Sequence, residues 1–247
     1  MSSATITTSA RLMNSTPQTE EQAMVRKVAV SSFLGNFIEW FDYASYSYFA
    51  TTIALVFFPT DNHTVAMLQT FGVFALSFIL RPIGALFWGS YGDKKGRKAA
   101  LAHSIMFMSG ASFLIGCLPS YSVIGVGAPI LLLLLRMVQG FSASGEYAGA
   151  ATFLGEYAPT SKRGIYCSLI PASTAIGLLA GSTLATLMTA NMNSSAMVGW
   201  GWRVPFLLAG PLGLIVLYIR AKLADSPVYQ SMNDCLLYTS DAADDLT

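Results

Sequence analysis

The fold of the chain is decided by the stretch Gly35–Tyr43, which reads GNFIEWFDY. It lies inside the apolar segment 28–57, which is longer than the ~20 residues that a membrane-spanning helix needs. Glu39 and Asp42 are therefore placed within a bilayer, where inserting one ionisable side chain costs about 2.5–3.5 kcal/mol. The usual reason for such a residue is a transport pathway or a proton relay.

Offsets of three, four and seven residues place side chains on one face of a helix. This stretch and its continuation therefore predict a single polar face made of Asn36, Glu39, Asp42, Tyr43 and Tyr46. The face cannot be turned toward lipid, so it must line a cavity or meet partner charges. The alternative interpretation is a buried structural ion pair in which an arginine neutralises Glu39.

The composition excludes a soluble protein. Of 247 residues, 53% are hydrophobic and 11% are charged, whereas soluble domains carry about 25% charged residues. A net charge of +1 provides no basic face for nucleic acid. The three cysteines lack metal-ligand spacing, and the sequence predicts no metal and no cofactor. No nucleophile–base constellation or phosphate loop indicates an enzyme.

Six apolar segments are long enough to cross a membrane. They are 28–57, 65–90, 99–118, 126–154, 165–189 and 202–220. Ten-residue segments of alternating polarity, typical of membrane barrels, are absent from the sequence. In the fifth segment Gly177 and Gly181 form a GxxxG pattern that favours close helix packing. The sequence therefore predicts an all-α membrane protein with six transmembrane helices.

The distribution of basic residues predicts the orientation. Eleven of the fourteen Lys and Arg residues flank the segments on one side: Arg11, Arg26, Lys27, Lys94, Lys95, Arg97, Lys98, Lys162, Arg163, Arg220 and Lys222. The positive-inside rule then predicts that both termini lie in the cytoplasm. The expected location is the inner membrane of a bacterial cell. Of the remaining three, Arg81 is expected near the cytoplasmic edge, where its side chain can reach the interface.

The fourth segment carries Arg136, Gln139 and Glu146 in an otherwise apolar or small-residue run. Arg136 and Gln139 are three residues apart and share a helix face. Arg136 is predicted to hold an anionic solute group or to pair with Glu39 or Asp42. The alternative is that Arg136 and Glu146 only pair with charges on neighbouring helices during assembly.

Several motifs resemble a known transporter family. Gly89–Lys98 (GSYGDKKGRK) and Arg136–Gly140 (RMVQG) resemble loop and fourth-helix motifs of the major facilitator superfamily. More specifically, the stretch Gly35–Tyr43 resembles the signature of its metabolite:proton symporter family. Further matches to that family are LRPIG from Leu80, GEY from Gly145 and WGWRVPF from Trp200. The resemblance runs from residue 27 to residue 232.

The resemblance implies roles for individual residues. Glu39 and Asp42 would couple a proton, Arg136 and Gln139 would support substrate or coupling, and Glu146, Tyr43 and Tyr46 would complete this proton and substrate site. A second group would form a cytoplasmic gate: Gly89, Asp93, Gly96, Arg97, Glu156 and Arg163. In that gate Gly89 permits close helix approach, and Arg97 offers its planar fork to Glu156.

The family has twelve spans in two halves with the solute site between them, and this sequence resembles the amino-terminal half only. We expect a flexible cytoplasmic tail over 1–25, the six-helix half over 26–232 and a tail over 233–247. From Cys235 onward the sequence has the character of a frameshift or adapter translation and is expected to be non-native. The alternative is a genuine short acidic tail.

The sequence thus predicts half of a proton-coupled symporter for a small organic solute, with membrane lipid and a second six-helix half as its partners. A proline- or betaine-like osmolyte is favoured, because the tyrosines suit an ammonium group by cation–π contact. A 2-oxoglutarate, dicarboxylate or other organic-acid symporter is the alternative. A six-helix channel, receptor or assembly module is the alternative from another class.

Overall fold

The structure, a computed structural model, describes residues 17–224 together with residues 229 and 231. Helices are the only regular elements in this part of the chain. They are α1 (Pro17–Tyr48), α2 (Ala50–Phe57), α3 (His63–Ile79), α4 (Arg81–Lys95), α5 (Arg97–Cys117), α6 (Tyr121–Ile124), α7 (Gly127–Tyr157), α8 (Arg163–Cys167), α9 (Leu169–Asn191), α10 (Ser194–Gly199) and α11 (Val204–Ala221). Two 3-10 turns, Thr160–Lys162 and Gly201–Arg203, precede α8 and α11.

The helices form six columns that match the six predicted segments. Span 1 is α1 with α2, span 2 is α3 with α4, span 3 is α5, span 4 is α7, span 5 is α8 with α9, and span 6 is α11 with its 3-10 turn. Within the described residues, five of the columns are long and apolar enough to cross a membrane. Span 1 falls short of that standard because buried polar residues, Glu39 and Asp42 among them, interrupt its apolar run.

The predicted terminal tails lie largely outside the described residues. Helix α1 already begins at Pro17, within the segment 1–25 for which a tail was predicted. The flexibility expected of residues 1–16 and the non-native character expected of 233–247 both concern residues that the structure does not describe. These expectations stay predictions.

Small residues set the distances between the spans. Span 1 packs against spans 5 and 6, and span 4 packs against spans 2 and 3. The predicted GxxxG contact is present: a Cβ atom built on Gly177 would lie 2.8 Å from the Phe37 carbonyl oxygen. One built on Gly181 would lie 2.6 Å from the Ala44 Cβ, closer than packed atoms can approach. Span 5 therefore meets span 1 backbone to backbone, as small-residue stripes in membranes allow.

Buried apolar side chains form three clusters that follow one another along the bundle. The first, at the end that carries most basic residues (the basic end), contains Val28, Leu101, Leu154, Ile170 and Leu223. The middle cluster contains Ile38, Ile105, Met108, Ala209 and Val216. The third contains Tyr46, Phe57, Trp202 and Phe206. On α1, Glu39 and Asp42 lie between the middle and third clusters, so the two carboxylates are enclosed within the bundle.

Candidate transport site

The most enclosed group of polar side chains surrounds Asp42. Arg136 donates from Nη1 to Asp42 Oδ2 at 2.6 Å, and both side chains are almost completely buried. Ser112 Oγ and Gln139 Nε2 donate to the other carboxylate oxygen at 3.0 and 3.2 Å. Gln139 also donates to Ser112. Spans 1, 3 and 4 therefore meet at one carboxylate, which receives a charge-assisted bond from Arg136.

An aromatic ring supports the Arg136 guanidinium. Its carbon Cζ lies 3.8 Å from the centre of the Tyr46 ring, within cation–π range. Tyr46 is held in turn by a 2.9 Å bond from its hydroxyl to the Thr70 carbonyl oxygen on span 2. Two guanidinium nitrogens of Arg136, Nε and Nη2, are buried and have no hydrogen-bond partner among the described residues. Arg136 therefore has unused capacity to bind an anion.

The second carboxylate on α1 forms its own ion pair. Arg81 donates from Nη2 to Glu39 Oε1 at 2.6 Å and also to the hydroxyl of Tyr43. Its guanidinium carbon lies 4.6 Å from the Phe78 ring centre and 5.0 Å from the Tyr43 ring centre. The side chain of Arg81 is 27% exposed, whereas that of Arg136 is 1% exposed. The Arg81–Glu39 pair is thus partly open at its arginine, and the Arg136–Asp42 pair is closed.

The position of Arg81 corrects an expectation. The sequence favoured a side chain reaching the cytoplasmic interface, but Arg81 pairs with Glu39 near the middle of span 1. It begins α4 just after α3 ends at Ile79, and Pro82 follows it in the first turn. This joint between α3 and α4 lies beside Glu39, so the cation meets a carboxylate and has no need to reach the interface.

The residues predicted to share one polar face of α1 are all buried, as expected, and their partners lie on different neighbouring spans. Asn36 donates from Nδ2 to the Ile170 carbonyl oxygen and to the Ser173 and Thr174 hydroxyls, all on span 5. Glu39 faces span 2, and Asp42 faces spans 3 and 4. Helix α1 is enclosed by neighbours on several sides, and its polar side chains are distributed among them.

Glu146 takes part in a third ion pair; the sequence predicted pairing with a neighbouring helix as its alternative, but not Arg220 as the partner. Arg220 donates from Nη1 to Glu146 Oε2 at 3.0 Å, and its Nη2 donates to Oε1. Ser104 donates to Oε2 at 3.1 Å, and Arg220 reaches the Leu101 carbonyl oxygen at 2.5 Å. A Cβ atom built on Gly35 would collide with both members of the pair. Glycine at the start of the GNFIEWFDY stretch therefore leaves the space that this pair fills.

Arg220 was counted from the sequence among the basic residues that follow span 6. The structure places it within α11 with 1% of its side chain exposed. The available signal was that Glu146, buried in an apolar run, required a cation from another helix. Ser104 and Ser112 were also missed, because serines are frequent in membrane helices and carry no distinctive pattern.

The residues predicted for the gate only partly assemble. Arg97 pairs with Asp93 at 3.0 Å and approaches Glu156 at 3.8 Å, as the resemblance implied for Glu156. Gly96, between α4 and α5, has a φ of 96°, which favours glycine. Arg163 is exposed at the start of α8 and forms no ion pair with a described residue.

Gly89 does not support the close helix approach predicted for it. A Cβ atom built there would meet nothing within 4 Å among the described residues. The contact between spans 2 and 4 depends instead on other glycines; a Cβ atom on Gly145 would lie 2.8 Å from Trp88. No group of three metal-ligating side chains gathers in the part of the chain that the structure describes.

The sequence is similar to those of known transporters. Residues 27–243 match the family described as sugar (and other) transporter. The proline/betaine transporter of Salmonella typhimurium is 42% identical over 216 residues, which cover 87% of this chain and 43% of that protein. The glycine betaine/proline/ectoine/pipecolic acid transporter OusA of Dickeya dadantii is 42% identical over 210 residues, covering 85% and 42%. The chain thus spans less than half the length of these relatives.

Solved structures share the fold. The partially occluded, inward-open structure of the xylose transporter XylE from E. coli has a TM-score of 0.76 at 17% identity, covering 85% of this chain and 52% of that chain. A second structure, of the major facilitator superfamily proton:xylose symporter XylE, has a TM-score of 0.75 at 16% identity. It covers 85% of this chain and 46% of that chain. The predicted resemblance and fold class are confirmed, and the chain is an integral membrane protein that belongs to the sugar (and other) transporter family.

Proposed function

We propose that this six-helix unit is the amino-terminal half of a proton-coupled symporter for a small zwitterionic osmolyte of the proline and betaine type. The observation that supports it most is the presence of two ion pairs on α1, one closed at Asp42 and one in which Arg81, the partner of Glu39, is partly exposed. The relatives named as proline/betaine transporters favour this solute class. Membership of a transporter family makes transport, not catalysis, the activity to test.

Asp42 and Arg136 are assigned to proton coupling. When Asp42 is ionised, it neutralises the buried guanidinium at 2.6 Å. A proton on Asp42 removes that charge and leaves Arg136 unpaired, a state that costs about 3–5 kcal/mol in a buried site. A solute carboxylate can neutralise Arg136 instead, through the nitrogens that have no partner. Proton and solute then favour each other's binding, and this reciprocity is what symport requires.

Arg81, Glu39 and the neighbouring rings are assigned to first contact with the solute. Arg81 is the most exposed of the three arginines in these ion pairs, so a carboxylate can reach it without opening the bundle. Oxygen Oε2 of Glu39 is buried without a hydrogen-bond partner among the described residues. A zwitterion would place its carboxylate on Arg81 and its ammonium near Glu39 and the faces of Tyr43 and Phe78.

The proposal includes a second six-helix half, because the chain covers only 43% of its Salmonella relative. Symporters of this fold bind solute between two halves that rock against each other. Gly89, with open space beside it, would meet the second half, and the Asp93–Arg97–Glu156 group would latch the gate in one conformation. The protein would lie in a bacterial inner membrane with both termini in the cytoplasm.

The test is a chimera in which residues 1–224 are joined to the second half of the Salmonella relative. Proteoliposomes containing it are assayed for proline and betaine uptake under an imposed proton gradient. We expect saturable uptake that an uncoupler abolishes. The control is the same chimera with Asp42→Asn, compared at matched amounts of inserted protein, which should equilibrate solute without accumulating it.

Two outcomes would contradict the proposal. Inhibition of uptake by 2-oxoglutarate, together with no response to betaine, would favour the organic-acid alternative. Solute flux that is neither saturable nor dependent on the gradient, from a chimera that is folded and inserted, would favour a channel.

A further inference from the structure

A groove opens at the basic end between α1 and the turn that leads into span 5. Its volume is about 710 Å³, within the range of small-molecule sites. Arg26 lines it from α1, and Lys162 lines it from the 3-10 turn. Tyr166, half-buried in α8, also lines it. The groove shares no residue with the ion pairs of the proposed transport site.

The mouth of the groove is positively charged. Arg26 and Lys162 are both exposed, and neither forms an ion pair with a described residue. No Asp or Glu is found among the described residues that line the groove. Lys27 follows Arg26 on the same exposed turn of α1. Two cations from different elements, without an ion pair among the described side chains, therefore face one space.

Beyond Arg26 along α1, the walls of the groove are apolar. Val30, Phe33, Leu34 and Leu169 line this part. Phe33 lies seven residues beyond Arg26 on α1, which is about 10 Å along the helix axis. Arg26 lies two residues before the apolar segment of span 1, and Lys162 lies three residues before that of span 5. The cations are thus at the membrane interface, and the apolar walls lie at the depth of acyl chains.

We propose that this groove binds one anionic phospholipid. Its phosphate lies between Arg26 and Lys162, and one acyl chain follows Val30 and Phe33 into the membrane. Basic pockets between spans on the cytoplasmic side are the usual sites for such headgroups. Tyr166 has the amphipathic ring typical of the interface between lipid and water. A soluble phosphate would leave the apolar walls uncovered, so lipid is the occupant that matches both the charge and the walls.

The test measures lipid binding to the 247-residue chain in detergent by native mass spectrometry. Phosphatidylglycerol and phosphatidylcholine of identical acyl chains are titrated against the wild type and against Arg26→Gln/Lys162→Gln. We expect the wild type to prefer phosphatidylglycerol, and we expect its affinity for that lipid to fall roughly 30-fold in the variant. Each basic residue contributes about 1 kcal/mol, and a factor of ten in affinity corresponds to about 1.4 kcal/mol. The matched control is Lys94→Gln/Lys95→Gln, which removes the same charge from exposed positions at the same end, outside the groove.

Each result decides the proposal. Retained binding in the control and lost binding in the groove variant would support it. Equal loss in both would overturn it, because a general surface charge would then be sufficient. Equal binding of the two lipids, or full displacement by sn-glycerol 3-phosphate, would also overturn it. Lys162→Gln alone, in an exposed turn, should weaken binding with no loss of thermal stability, and this keeps the test valid if the double variant is unstable.

A last arm repeats the titration on the chimera that carries a second half. Persistent phosphatidylglycerol binding there would support a lipid-facing groove. Its disappearance would assign the groove to contact with the second half and overturn the lipid site.

Discussion

Arg220 and Glu146 form an ion pair between spans 6 and 4 in which each side chain is 1% exposed. The pair also bonds to span 3 through Ser104 and the Leu101 carbonyl oxygen. It occupies the space left by Gly35 on α1. Four spans thus meet at one buried pair. The pair touches α1 at Gly35, about one helical turn from Glu39. The geometry connects the proposed transport residues to the packing of the whole bundle.

Removing either member of this pair should destabilise the chain. Arg220→Gln leaves Glu146 charged and unpaired, and Glu146→Gln leaves Arg220 unpaired. Each change should lower the free energy of unfolding by about 3–5 kcal/mol, the cost of an uncompensated buried charge. Unfolding of the purified chain in mixed detergent micelles measures the change. Lys222→Gln, two residues beyond Arg220 and exposed, is the control and should have little effect.

The double change Glu146→Gln/Arg220→Gln separates a structural role from a transport role. It removes both charges and should regain most of the stability lost in either single variant. If Glu146 serves only packing, the double variant of the chimera should also keep gradient-driven uptake. Stable protein with abolished uptake would instead place Glu146 in coupling, as the resemblance to the family implies.

Asp42 should be needed for accumulation, and its change should also lower the free energy of unfolding because buried Arg136 loses its partner charge. Asp42→Asn keeps the size of the side chain and most of its hydrogen-bonding capacity, but it cannot release a proton. In the chimera we expect downhill exchange to persist and accumulation under a proton gradient to disappear.

Glu39→Gln should instead weaken solute binding, because it disturbs Arg81. Wild-type accumulation ratios in both variants at matched expression would remove these carboxylates from the mechanism.

Close packing between spans 1 and 5 can be tested with two glycines. Gly181→Ala would bring a Cβ atom within 2.6 Å of the Ala44 Cβ, and such overpacking costs about 1–3 kcal/mol. Gly72→Ala, where a Cβ atom meets nothing within 4 Å, is the matched control in span 2. It should be neutral or stabilising by up to about 1 kcal/mol, because alanine favours helix more than glycine. Equal effects of the two changes would contradict the close contact.

The spans and one ion pair were predictable because they depend on local sequence. Apolar segments and their flanks predicted all six columns, but the first helix begins at Pro17, well before the predicted start at residue 28. The pairing of Arg136 with a carboxylate on α1 was also predicted, although Glu39 and Asp42 stayed equal candidates. The choice between them depends on which residue of α1 faces span 4, and this follows from helix crossing angles that no single segment encodes.

The partners of Arg81 and Arg220 could not be predicted for a related reason. A cation near the end of an apolar segment can extend to the interface or turn inward to a buried carboxylate. Positive-inside counting assumes the first outcome. The second depends on an acid brought close by tertiary packing: Glu146 is 74 residues before Arg220 in the chain. The spacing predicted the buried polar face of α1, but which span each of its residues contacts depends on the same tertiary packing.

The orientation is testable by cysteine labelling from outside the cell. Because the basic residues lie at one end, probes at Asp61 and Ser195 should react with an impermeant maleimide, and a probe at Lys95 should not. Asp61 and Ser195 are exposed and lie one and two residues from Asn62 and Asn193, which cap helices and are best left in place. Cys117 is exposed, so the three native cysteines are first replaced by serine. External labelling at Lys95 would reverse the assignment.

The 247-residue chain by itself should not transport. The Arg81–Glu39 pair is open on one side, so the chain alone supplies only part of the contacts that a bound solute needs. Without a second half, nothing closes the opposite side of the site, and alternating access has no partner to rock against. We expect an inserted protein that shows no uptake of proline, betaine or 2-oxoglutarate in proteoliposomes under a proton gradient. The chimera, prepared in parallel, shows that the assay detects transport. Saturable, uncoupler-sensitive uptake by the chain alone would contradict the half-transporter proposal and would indicate a functional homodimer.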